Sequence, residues 1–154
     1  MNSWPSSRKR VCLPIARPWE KRLRTSKAMV LLLLARILVA AVPFRLWREG
    51  LGTAGDPEEQ YENRTAERLA ADVEWAAGKI PVSTDCLPRA MALSWMLRKR
   101  RVPHAVVFAV RPLSSRTDKD GLHAWVEVRG SRLIGDLPGP WIETLRLDGE
   151  PRPT

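Results

Sequence analysis

With 154 residues and 44% hydrophobic content, the chain has enough apolar mass for one modest core, and 28% charge is ordinary for a soluble protein. A net charge of +9 suggests a nucleic-acid partner until it is located. Residues 1–27 hold eight Lys and Arg against Glu20 alone, and the remainder carries 18 basic and 16 acidic residues, so the body is nearly neutral and nucleic acid is not an expected partner.

Residues 1–27 are therefore read as a basic, mobile tail, and 28–154 as a single domain. Ala28 to Phe44 is an apolar run of 17 residues interrupted by Arg36, shorter than the roughly 20 that a membrane span needs. It is read as a helix from about Ser26 to Val42, stopped by Pro43 and buried against the domain or lying on a surface. Membrane contact is not expected. The three glycines and one proline of 48–57 make a linker. Ala66, Leu69, Ala70, Val73, Ala77 and Ile80 then recur at helical spacing, with Gly78 and Pro81 as stop signals.

The next helix starts near Asp85 or Cys86. Ser83, Thr84 and Asp85 are N-cap types, and Pro88 fits only a first turn. The cluster Arg98 to Arg101 closes it, where cations complement the helix dipole. Beyond Pro103, Ala105 to Val110 is a continuous apolar run of strand length. A polar loop follows, and then Leu122 to Val128 alternates, with His123, Trp125 and Glu127 opposite the aliphatic positions. Gly130-Ser131 forms a turn, and Arg132 to Asp136 begins a third strand. Residues 28–100 are thus mostly helical, and 104–147 form an antiparallel sheet. The fold class is α+β.

The chemistry converges on three residues. A thiol attacks a carbonyl only as thiolate, so a nucleophilic cysteine needs a base and an electropositive setting. Cys86 is placed at a helix N-terminus. His123 lies on a strand with Trp125 and Glu127, and Asp136 follows a hairpin that returns the chain beside it, where a carboxylate orients an imidazole. His104 is the rival base, and Glu127 and Glu143 are rival third members. Trp95 and Trp125 are candidates to line a substrate groove. The two cysteines, Cys12 and Cys86, sit in unlike contexts and make no disulfide framework, which points to a reducing, cytoplasmic compartment. No metal site or cofactor is expected.

The segment CLPRAMALSWMLRKRRVPHAVVFAVR from Cys86, followed by LHAWVEVRGSRLIGD ending at Asp136, resembles the transglutaminase-like cysteine proteases that mature lasso peptides. It looks like the free-standing protease half of a split B protein. The specific parts are Cys86, Leu87 and Arg89, and the run His123 to Glu127. The resemblance implies a transglutaminase-like, papain-like fold with N-terminal helices packed on a small antiparallel sheet. It also implies Cys86 as nucleophile, His123 as base and then acid, and Asp136 as orienting carboxylate. The implied reaction is removal of the leader from a ribosomal precursor peptide. The implied partners are that precursor, a separate winged-helix leader-recognition protein, and a macrolactam synthetase that uses the freed amine. The polar loop Ser114 to Asp120 and Pro88 depart from the family pattern without removing a catalytic atom. The alternatives are a transamidase or amidase with the same triad, and a basic-tailed, membrane-peripheral binding protein with no enzymatic activity.

Overall fold

The computed structural model describes residues 18–53, 63–81, 85–115, 121–135 and 137–148. Helix α1 runs from Pro18 to Ala41, and a short helix α2, Phe44–Trp47, follows Pro43. Helix α3 is Asn63–Ala77 and α4 is Cys86–Lys99. Four strands complete the fold: β1 (Ala105–Val110), β2 (Leu122–Val128), β3 (Ser131–Ile134) and β4 (Ile142–Leu147). All pairings are antiparallel, in the order β3-β2-β1-β4. The architecture is the expected α+β.

The helices pack through small residues. Ala28, Leu32 and Ala35 of α1 meet Ala66, Ala70 and Val73 of α3 and Ala90, Leu93 and Leu97 of α4, all buried. Small side chains let the three axes approach closely while the leucines fill the space between them. Helix α1 begins at Pro18, earlier than the charge of the segment suggests. Proline is pre-organised for a first helical position. Arg24 also reaches Asp72 of α3 at 3.1 Å, and the Thr25 hydroxyl donates to the Arg22 carbonyl at 3.0 Å. Residues 1–17, Cys12 among them, lie outside the described residues.

The sheet has two unlike faces. Val106, Ala124, Val126 and Val128 join the helical core, whereas Ala105, Val107, Ala109 and Trp125 form a second cluster with Trp141 packed on it. Alternation along β2 therefore puts His123, Trp125 and Glu127 on the face away from the helices. No helix among the described residues is long and apolar enough to cross a membrane.

Candidate active site

Helix α4 opens at Cys86 because Pro88 falls in its first turn, where its missing N–H costs no helical hydrogen bond. Asp85 occupies the N-cap with extended backbone but makes no side-chain capping hydrogen bond. Ser83 and Thr84 lie outside the described residues. The first backbone N–H groups of a helix have no partner within it. Here those of Cys86 and Leu87 point at the Cys86 sulfur, and the N–H of Ala124 joins them from β2. Strand β3 pairs with β2 only from Val126 onward, so Ala124 has no β3 residue opposite it and its N–H turns to the thiol.

Cys86 is partly buried and carries a free thiol. Burial pushes that thiol up from its ordinary pKa and outweighs the three N–H groups, which favour thiolate. The shift favours the neutral thiol. A helix N-terminus alone, the signal read from the sequence, is insufficient to ionise it, and a base is required.

His123 is 4% exposed, at the end of β2. Its Nε2 lies 2.5 Å from the Gly135 carbonyl, which can only accept, so Nε2 carries the proton and donates it. Nδ1 is left with its lone pair as the basic nitrogen. Gly135 sits at φ +82°, and a Cβ there would come within 2.8 Å of the Ala124 carbonyl oxygen. Only glycine lets the chain pass this close and aim its carbonyl at the imidazole. The His123 ring is flanked by Trp141, centroids 4.8 Å apart, and by Trp125 at 5.8 Å. Arg111 lies over the Trp141 ring at 4.6 Å, so the indole contacts both a guanidinium and the imidazole.

Cys86 and His123 line two adjoining depressions. The smaller, about 350 Å³, is bordered by the Glu74–Arg89 ion pair at 3.1 Å. The larger, about 1010 Å³, is bordered by Arg36, Leu87, Arg111 and Trp141. Leu137 borders both, so the pair forms one groove with the thiol and imidazole between its two ends. An extended chain laid along it would have its reacting carbonyl at Cys86.

The remaining sequence candidates are placed as follows. Asp136 lies outside the described residues, directly after the Gly135 that holds His123. Trp125 is buried, donates to Glu127 at 2.7 Å and stacks under Arg132 at 4.2 Å; it borders His123 but lines neither part of the groove. Trp95 lies nine residues along α4 from Cys86, about 13 Å at 1.5 Å per residue, and faces the Gly50 turn. It too lines neither part.

His104, the rival base, is buried with both ring nitrogens engaged, Nδ1 donating to the Val102 carbonyl at 2.8 Å and Nε2 accepting from the Ser94 hydroxyl at 2.7 Å. Burial lowers its pKa, which keeps it neutral and structural. Glu127 is committed to Trp125 and Arg146, which hold it below the usual carboxylate range although burial pushes it up, and Glu143 pairs with Arg146. No group of three or more His, Cys, Asp and Glu that could hold a metal ion occurs among the described residues.

Trp141 and Arg111 did not emerge from the sequence. They belong to segments 30 residues apart that meet only through His123's face of the sheet, and no spacing rule links them.

A family model described as transglutaminase-like superfamily matches residues 29–142, from the middle of α1 to the first residue of β4. Comparison with curated proteins and with solved structures gives no match.

Proposed function

The chain belongs to the transglutaminase-like superfamily, whose members are usually cysteine peptidases or transglutaminases, and from that premise we propose that it is the peptidase that removes the leader from a lasso-peptide precursor. The observation that carries the reading is the pairing of a partly buried thiol with an imidazole whose Nε2–H is already committed, leaving Nδ1 to act in the same groove. The groove's two ends suit a chain extending on both sides of the cut. The motif residues Cys86, Leu87, Arg89 and His123 to Glu127 supply the finer assignment, by resemblance.

In the proposed reaction Nδ1 of His123 takes the thiol proton as sulfur attacks the carbonyl carbon at the leader–core junction. The tetrahedral oxyanion meets the backbone N–H of Cys86 and of Leu87, which Asp85 leaves uncapped. The C–N bond breaks, the imidazolium returns its proton to the departing core amine, and a thioester joins the leader to Cys86. Water, deprotonated by Nδ1, attacks the thioester; the C–S bond breaks, sulfur recovers the proton, and the leader leaves as a carboxylic acid. Asp136 is proposed to support the imidazolium in both halves.

The test is incubation of parent and Cys86→Ala proteins with precursor and its leader-recognition protein, read by mass spectrometry. The reading expects a free leader acid from the parent alone. An amine adduct in place of the acid would assign a transamidase, and equal cleavage by both proteins would sink the mechanism.

A further inference from the structure

Helix α1 has two apolar faces, and only one is used. Ala28, Leu32 and Ala35 enter the core, while Trp19, Leu23, Val30, Leu33, Leu34 and Ile37 remain exposed, Leu23 and Ile37 at 61% and 62%. At 3.6 residues per turn these six fall within about 100° of the helix circumference, a stripe about 27 Å long. Isolated exposed leucines need no explanation, but six large apolar side chains aligned on one helix face mark a contact surface.

The surroundings of the stripe say what covers it. From Pro18 to Arg48 the sequence holds one carboxylate, Glu20, with Glu49 next, and Arg22 and Lys27 are exposed beside the stripe. Lys27 lies beside Lys99 and Arg100 at the end of α4; burial first, and these like charges next, press its pKa down. Cations gathered this way repel one another and call for an anionic counterpart. A second copy of the chain would bring two such clusters together across a twofold axis. A neighbouring flank of α1 borders the catalytic groove, because Arg36, Val39 and Ala40 line the same depression as Cys86. A lipid surface on the stripe brings no peptide to that flank, whereas a protein docked there delivers one to it.

We propose that the outer face of α1 is the docking surface for the leader-recognition protein, which meets it with an apolar patch rimmed by carboxylates. The proposal rests on the leader-peptidase reading and assigns its partner a place: the bound leader runs from α1 past Arg36 to Cys86.

The experiment measures binding of the full chain, carrying Cys86→Ala to prevent turnover, to the purified leader-recognition protein loaded with precursor. Two further variants are compared: Leu23→Gln/Val30→Gln/Ile37→Gln on the stripe and Lys27→Glu/Lys99→Glu on its rim. Each is expected to weaken binding at least tenfold. In the Cys86 background the same changes are expected to leave cleavage of a short junction peptide within twofold, which also shows that they fold. Unchanged affinity in both variants, or no binding by the parent, overturns the docking surface. So does a parent that instead sediments with vesicles of equal phosphatidylglycerol and phosphatidylcholine, or dimerises through the stripe. Stripe-dependent binding without cleavage by the active parent would defeat the peptidase reading and leave the surface standing.

Discussion

Trp141→Ala isolates the stack that holds the His123 imidazole. The substitution removes the indole that lies 4.8 Å from the His123 ring and carries Arg111 at 4.6 Å, while the Nε2–H to Gly135 bond stays. An aromatic stack of this kind is worth about 0.5–1.5 kcal/mol beyond burial. If that energy serves to hold Nδ1 toward the thiol, its loss raises the barrier by the same amount, a fall in kcat of about 2- to 13-fold. Trp141→Phe keeps a ring in place but loses the Nε1–H donated to the Leu137 carbonyl at 3.1 Å, and is expected to recover most of the loss. Steady-state cleavage of a junction peptide separates kcat from KM. A kcat in Trp141→Ala within twofold of the parent, with unaltered circular dichroism, would refute the argument: the Gly135 carbonyl would then suffice to orient the ring.

Three more outcomes follow from the geometry. Because burial raises the Cys86 pKa, its thiolate fraction climbs with pH up to that raised value; alkylation by iodoacetamide, mapped to Cys86 by mass, should accelerate about tenfold per pH unit between pH 6 and 8. A rate flat across that range would mean a preformed thiolate–imidazolium pair. Gly135→Ala adds a Cβ within 2.8 Å of the Ala124 oxygen at a positive φ and displaces the carbonyl that holds His123, so peptide cleavage should fall at least tenfold with KM little changed; retained kcat would contradict the tautomer assignment. His104→Ala removes a buried imidazole bonded to Ser94 and Val102 and should cost about 3–5 kcal/mol in urea titration, from orphaned polar groups and the cavity. Its folded pKa is depressed, so the unfolded chain binds the extra proton and the parent should lose stability as pH falls below about 6.5, a loss absent from the variant.

How much of this was legible in the sequence depended on whether the signal was local. The runs AVVFAV and LHAWVEV fixed β1 and β2 to the residue, because a buried strand and an alternating one are properties of contiguous positions. Pro88 fixed the start of α4 for the same reason. The start of α1 was missed because its anchor, the Arg24–Asp72 pair, spans 48 residues, and a basic segment without its distant partner reads as a tail. Trp125 shares a face with His123 as alternation requires, but its use as a cap for Glu127 and Arg132 depended on strand register. The thiol's environment was the least readable. The helix N-terminus was visible in the sequence, whereas the burial that outweighs it comes from packing α4 among α1, α3 and β2.

The acceptor that sets the His123 tautomer is a main-chain oxygen, and a main-chain oxygen is not encoded by any one side chain. Substitution can displace it but cannot delete it. The heritable requirement at position 135 is therefore negative: the absence of a Cβ, so that the backbone can adopt φ +82° and pass close to Ala124. Drift at neighbouring side chains can change how well the imidazolium is supported without changing which nitrogen is basic. In this chain the His123 tautomer is set by an atom that every residue carries, and the demand falls on the glycine that brings it near.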